Sequence, residues 1–260
     1  AVKANGYGMG VLPMVRVLTD EGVDYLAVAI VEEGVELRKS GVELPILVLG
    51  AIDEKDLSLA VYHDLTIAVY HFKTACLIDF LAGKMKKRAK LHVKLDTGMH
   101  RLGFPLTEMS KGEIKVISEM PNIDLEGFFS HLSQTDKSRA FTEKQIAGFR
   151  DFTEDLAAAG VTFPLRHLAN SNGILDYPAS YFDMVRPGIL MHGFGTGSSE
   201  SGELREVLAL KSAVVRPDSV EAGAEISYMG NFIAEKPRLI ATVPVGYADG
   251  YMRCLSGKAE

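Results

Sequence analysis

The chain has 260 residues, enough for one large domain or a domain and a half, and its 47% apolar content can supply a sizeable core. Its formal net charge of -6 gives no electrostatic reason to expect nucleic acid or an anionic membrane as partner, although a local basic pocket could still hold an anion. No apolar run is long enough to span a bilayer, and residues 1–10 lack the charged start and apolar stretch of a signal peptide. The two cysteines, Cys76 and Cys254, cannot build a disulfide framework and read as free thiols, Cys76 as a small core residue. Both ends read as cut, which suggests a longer natural protein.

Short apolar runs alternate with helical patterns. A stub at Ala1-Val2 is followed by strand candidates at Tyr25–Ile30, Pro45–Leu49, Thr66–Val69, Leu91–Leu95, Leu125–Ser130, Leu165–Ala169 and Asp183–Val185. Most are continuously apolar, the pattern of parallel strands covered on both faces. Between them, Leu12, Val15 and Leu18 repeat at helical spacing. Val31–Lys39 carries acids at its start and bases at its end, which suits the helix dipole. Phe141–Ala159 is the longest helical stretch, with Thr142 as a cap and Gly160 as its stop. A doubly wound sheet and a closed (β/α)8 barrel both fit this alternation; the count of eight favours the barrel, a TIM-like α/β fold. Gly6, Gly8 and Gly10 lack the spacing of a dinucleotide fingerprint.

Near Gly195 the character changes. Thr196–Gly202 reads as a linker, and helical periodicity disappears after it. Val207–Val215 and Arg238–Val245 look like strands, with turns at Pro217-Asp218, Glu221-Ala222-Gly223 and Ala248-Asp249-Gly250. The division expected is a barrel over 1–195 and the opening of a mostly β domain over 203–260.

In such a barrel the chemistry sits at the carboxyl ends of the strands. Polar residues collect there: Lys3, then Lys94, Asp96 and Arg101, then His131, then His167, Asn170 and Ser171, then Arg186 and Gly188. Loop polarity alone accounts for about half of these, since loops lie on the surface. Lys3, Lys94 and His131, set directly against strand residues, are harder to attribute to it.

Five segments carry a resemblance. Ala1-Val2-Lys3-Ala4-Asn5-Gly6-Tyr7-Gly8, Lys94–Gly103, His167-Leu168-Ala169-Asn170-Ser171, Val185-Arg186-Pro187-Gly188-Ile189 and Gly246-Tyr247-Ala248-Asp249-Gly250 resemble, in order, motifs of the alanine racemase family, the fold-type III pyridoxal-phosphate enzymes. The resemblance covers essentially the whole chain and implies a cofactor, pyridoxal 5'-phosphate, and no metal. It implies that Lys3 forms the Schiff base and works with Tyr228 as a second base on the opposite face of the substrate. It also implies that His131 tunes the Tyr228 phenol. The resemblance further implies that Arg186 faces the pyridine nitrogen; having donors and no acceptor, it would leave that nitrogen unprotonated. Arg101 matches the family's arginine near the substrate carboxylate. Lys94 matches a lysine carried as a carbamate in many members; pairing with Asp96 is the simpler alternative. Tyr7, Ser171, Gly188 and Ile189 match phosphate contacts, His167 and Asn170 support the ring, and Tyr247 narrows the entrance.

The implied assembly is a homodimer with active sites shared between subunits, in the cytoplasm or as the cytoplasmic part of a membrane-anchored protein. The implied reaction interconverts L- and D-alanine. A departure is Met229, where the family usually has glycine. Serine racemases linked to glycopeptide resistance share the fold and motifs, so serine stays open as substrate. A barrel decarboxylase and a one-domain pyridoxal-phosphate homeostasis protein are the remaining alternatives; Ser227-Tyr228 counts against the first and the residues after Gly202 against the second.

Overall fold

The computed structural model describes residues 1–195 and 204–256. The linker expected at 196–202 lies outside the described residues. The chain divides into two compact units, Ala1–Glu206 and Val207–Glu260.

The first unit is built on six parallel strands in sequential order: β1 (Leu26–Val28), β2 (Ile46–Val48), β3 (Thr66–Val69), β4 (Ala89–Lys94), β5 (Ile123–Phe129) and β6 (Leu165–His167). A left-handed turn, α1 (Lys3–Tyr7), and α2 (Val11–Asp20) precede them. The strands are followed in turn by α3 (Val31–Lys39), α4 (Glu54–Tyr62), α5 (Phe72–Lys84), α6 (Glu108–Ser118), α7 (Arg139–Ala158) and α8 (Ser171–Asp176). Each βα unit buries its strand under its helix, which is why the strands carry β-branched and leucine side chains on both faces. Leu26, Ile46, Ile67 and Leu91 are almost fully buried and pair in register, Leu26 with Ile46 and Ile67 with Leu91. Phe128 on β5 stacks against Phe149 and Phe152 of α7 and on Phe163, with ring centroids 5.3, 6.1 and 4.7 Å away. Each such buried side chain contributes about 1.5–3 kcal/mol.

Two of the eight expected strands do not form as strands. Ala1-Val2 offers only two residues and makes one rung, from the Val2 N–H to the Ala27 carbonyl at 2.8 Å. Residues 183–186 reach β6 and the segment just after it through isolated bonds, Asp183 N–H to Arg166 O (2.9 Å) and Arg186 N–H to Ala169 O (3.0 Å). The Ala1 nitrogen donates to the Pro187 carbonyl at 2.8 Å, so these two partial edges meet and the sheet curls into a ring. The first unit is therefore a (β/α) barrel with a six-stranded, curled sheet.

Other expectations are corrected locally. The cap of α7 is Ser138, whose hydroxyl accepts from the Phe141 N–H; Thr142 is a buried helix residue bonding back to the Ser138 carbonyl. Cys76 is exposed, one position round α5 from the buried Ala75. Among the described residues no helix is long and apolar enough to cross a membrane.

The second unit is mostly β. Strand β7 (Arg216–Val220) pairs antiparallel with β10 (Arg238–Thr242), and β8 (Glu225–Ile226) with β9 (Phe232–Ile233). Pro217-Asp218 lies inside β7 and makes no turn; Pro217 is tolerated because β7 has a partner on one side only. Within Val207–Val215 only Val215 joins the ladder, through Thr242, and the segment is exposed. The turn at residues 221–223 is formed, with Gly223 at φ +87°.

Candidate active site

The segment carrying Lys3 has an unusual backbone. Ala4 (φ 53°, ψ 51°), Asn5 (53°, 46°), Gly6 (64°, 41°) and Tyr7 (φ 56°) all lie in the left-handed region. For residues other than glycine this costs roughly 1–2 kcal/mol each. Glycine is free of the penalty at residue 6, and specific bonds hold the rest. The Glu33 carboxylate of α3 accepts from the Ala4 N–H at 2.6 Å and the Ala29 N–H at 2.7 Å; Asn5 Oδ1 accepts from the Val11 N–H at 2.8 Å. The turn brings Lys3 and Tyr7 to one cavity, the Lys3 Nζ 6.0 Å from the centre of the Tyr7 ring.

That cavity, of about 510 Å³, opens at the carboxyl ends of the strands. Lys3, Tyr7, Lys94, Arg101, His131, Asn170, Ser171, Arg186, Gly188 and Ile189 all line it, and no aspartate or glutamate is among its described lining residues. Its field is therefore strongly positive. Burial, then the charges of Arg186, Arg101, Lys94 and Lys3, push the His131 imidazolium down to about 3, so His131 is neutral at any physiological pH. Burial and the neighbouring Arg101 and Arg186 lower Lys94 to about 8. Asp96 faces away from this role. Burial opposes its charge, but it accepts from the N–H groups of Gly98, Met99 and His100 at 2.9–3.0 Å, which hold it below its usual value and fold the loop leading to Arg101. A second cavity of about 470 Å³, beside Tyr25 and Met184, has a mainly apolar lining and shares only Ala1 and Arg186 with the first.

One wall of the first cavity is a cradle of hydroxyls and backbone. Ser171 Oγ accepts from the N–H groups of Gly188 (3.0 Å) and Leu190 (3.2 Å), which leaves its own proton to donate. A Cβ at Gly188 would lie 2.6 Å from the Tyr7 hydroxyl, so this close approach requires glycine. Asn170 caps α8 by accepting from the Gly173 N–H and ties it to the Leu132 carbonyl.

The floor is Arg186 and Phe129. The guanidinium is buried and donates to His167 Nδ1 (2.7 Å), the Ser130 carbonyl (2.7 Å) and the Leu168 carbonyl (3.1 Å), all neutral acceptors. Burial lowers it to about 9, still charged at neutral pH. Phe129 stacks on His167 with 4.8 Å between centroids, under the Lys94 ammonium (5.6 Å) and Arg186 (5.4 Å). Behind His131, the buried Gln145 of α7 donates to Thr97 Oγ1 and the His131 carbonyl and accepts from the Ser133 N–H.

The predicted residues thus fall into three groups. Ten line the cavity together. His167 does not reach it and lies behind Arg186, fully buried. Tyr228 and Tyr247 belong to the second unit, 87% and 74% exposed there. Met229 has φ +66°, a conformation in which glycine is free of strain and methionine is not. The sequence reading missed His92, Glu126, Glu33 and Gln145. His92 lies between Leu91 and Val93 and Glu126 follows Leu125, a signal present in the sequence; Glu33 is marked only as one of the acids at the start of α3, with no sign of its bond to Ala4.

Residues 1–195 match the family model described as alanine racemase, N-terminal domain, and residues 207–260 the one for alanine racemase, C-terminal domain. The whole chain is 42% identical to an alanine racemase of Clostridium novyi, spanning 68% of that protein. A solved structure of alanine racemase from Clostridium difficile 630 superposes with a TM-score of 0.89 at 38% identity, covering 97% of this chain and 67% of that one. The alanine racemase from E. faecalis does so with a TM-score of 0.83 at 31% identity, covering 99% of this chain and 70% of the other. On a barrel and a β domain that both match, at such identity and coverage, the chain belongs to the alanine racemase family of fold-type III pyridoxal-phosphate enzymes.

Proposed function

We propose that this chain interconverts the enantiomers of alanine with pyridoxal phosphate, Lys3 and Tyr228 serving opposite faces of the substrate Cα. The observation that carries the reading is the cavity's donor set: a primary amine at Lys3, a donor-only guanidinium at Arg186, and the Tyr7, Ser171 and Gly188 cradle, with no carboxylate among the described lining residues. These residues fit the cofactor. The cradle suits a phosphate dianion, and the cationic field suits both that phosphate and a substrate carboxylate. The bound cofactor supplies the electron sink that makes the Cα proton removable.

The chain's own groups do the rest. Lys3 takes or returns a proton on one side. Tyr228 must give up its hydroxyl proton to work as a base, and the neutral His131 imidazole is the partner that would tune it through a hydrogen bond. Arg186 cannot accept, so a pyridine nitrogen held against it would keep its own lone pair, and the bound cofactor would be a weaker sink than one held against a carboxylate. Arg101 orients the substrate carboxylate. Lys94, as its carbamate, would hold Arg101; a lysine lowered to about 8 has the neutral fraction that carbamate formation requires. Asn170 supports the cradle from the cavity wall, His167 supports the floor from behind Arg186, and Tyr247 narrows the entrance. Because Tyr228 and Tyr247 lie in the second unit, the reading includes a homodimer in which each copy supplies them to its neighbour. The reading takes the barrel domain as 1–195 and the start of the β domain as 203–260.

The test uses the full-length holoenzyme in deuterated water with each alanine enantiomer. Deuterium at Cα and recovery of both enantiomers is expected; carbon dioxide release without racemisation would overturn the reading in favour of a decarboxylase. Chiral chromatography of alanine, serine and lysine then ranks the substrates, with alanine expected first.

A further inference from the structure

A second bonded system runs through the barrel below the cavity. Its first member is Arg186, which can only donate. Arg186 therefore donates to His167 Nδ1 (2.7 Å), and that nitrogen carries no proton. The proton of neutral His167 is on Nε2, which lies 2.8 Å from His92 Nδ1 and must donate to it. His92 in turn carries its proton on Nε2 and donates to Glu126 Oε2 at 3.2 Å. Glu126 ends the series as an acceptor, also taking the Tyr25 hydroxyl (2.7 Å) and the Lys90 ammonium (3.0 Å). Arg186 at one end, which cannot accept, and Glu126 at the other, which cannot donate, thus agree on one tautomer for each of the two buried imidazoles.

The backbone is shaped for this path. The β4 and β5 ladder pairs Leu91 with Leu125 but His92 with Gly127, so Glu126 is the extra residue of a β-bulge. Such a bulge re-aims a side chain, and here it brings Glu126 to His92. Gly127 leaves the space the imidazole fills; a Cβ there would lie 2.5 Å from the His92 ring.

We propose that Glu126 is a positioning residue for the reaction: through His92 and His167 it fixes the sense of this donor series, so that His167 always meets Arg186 as an acceptor. The reverse sense is the danger. It would place an N–H of His167 against the guanidinium, two donors facing, and displace Arg186 from the cavity floor. A carboxylate excludes that sense because it cannot donate.

The decisive variant is Glu126→Gln. Lys90 attracts the amide oxygen and so turns the amide N–H groups toward His92, driving the series backwards against Arg186. Lys90→Met frees the amide to turn its oxygen to His92. The experiment records ¹⁵N spectra of histidine-labelled microcrystalline holoenzyme and steady-state kinetics for the wild type, Glu126→Gln, Lys90→Met and the double variant. In the wild type His92 and His167 should both show a protonated Nε2 and a bare Nδ1. Glu126→Gln should lose that pattern, with kcat down roughly tenfold, the scale of one charge-assisted hydrogen bond, and KM within about twofold. Lys90→Met should match the wild type, and the double variant should recover both the tautomers and most of kcat. Unchanged tautomers in Glu126→Gln, or no recovery in the double variant, would overturn the proposal. If Glu126→Gln folds poorly, the wild-type spectrum still decides, because a protonated Nδ1 on either ring is incompatible with the series. The kinetic readout rests on the racemase reading, and the spectra do not: absent racemisation in the wild type would sink that reading alone.

Discussion

Replacing Glu33 with alanine tests whether the left-handed turn is held from outside. The Glu33 carboxylate accepts from three backbone N–H groups: Ala29 at 2.7 Å, Ala4 at 2.6 Å and Ile30 at 3.3 Å. A hydrogen bond to a charged group contributes about 1.5–3 kcal/mol. The half-buried Ala29 bond should carry that full amount; the Ala4 bond, which water can replace, about half of it; the long, exposed Ile30 bond little. Loss of all three therefore destabilises by about 2–4 kcal/mol. Urea unfolding at unchanged m-value measures it directly. Glu33→Gln keeps one acceptor oxygen and should lose about half as much. The catalytic consequence is separate: with Ala4 released, Lys3 loses its placement, and kcat should fall while the folded protein remains. A stability change below about 0.5 kcal/mol, within the range of ordinary surface substitutions, together with unchanged kcat would refute the reasoning.

Gly188→Ala places a methyl group 2.6 Å from the Tyr7 hydroxyl; overpacking of about 1–3 kcal/mol should weaken pyridoxal-phosphate binding roughly tenfold or more in titrations of the apoenzyme. Tyr228→Ala should suppress deuterium uptake from L-alanine far more than from D-alanine, and equal residual uptake from both would remove Tyr228 as the second base. Met229→Gly should relieve its φ of +66° and raise thermal stability by a few tenths of a kcal/mol to about 1. Burial holds the His92, His131 and His167 imidazoliums below their ordinary 6.5, His131 at about 3, so the unfolded chain binds more protons as pH falls below 6.5. Stability should fall through the window from 6.5 toward 3, less steeply in His131→Asn; a urea midpoint that is the same at about pH 7.5 and about pH 5 would contradict this.

Much of the barrel was legible because its physics is local. Strands such as Thr66–Val69 and helices such as Val31–Lys39 appear with the expected bounds, since apolar runs and charge order encode them directly. The last strand was not: Asp183–Val185 meets β6 through isolated bonds, and apolar character alone does not make a ladder. Pro217 was misread because a turn residue is also an acceptable edge-strand residue. At the site, motifs identified the residues that face the cavity, while the residues that hold them stayed hidden. The Glu33 bond to Ala4 and the Gln145 bonds to the 131–133 backbone join residues far apart in the chain through backbone groups of any identity, so no spacing announces them. His92 and Glu126 were visible as polar interruptions in apolar strands, but their pairing depends on a bulge that the sequence does not declare.

The hand of the turn beginning at Lys3 also bears on the order in which the protein becomes competent. An ordinary helix gains a bond with each residue it adds after a costly first turn, whereas a left-handed run of Ala4, Asn5 and Tyr7 is disfavoured at every local step. It can persist only once α3 has docked and offers Glu33 to the Ala4 N–H. The reactive amine is therefore held in place only where the first βα unit is assembled, and a chain lacking that unit presents no ordered nucleophile to a passing aldehyde.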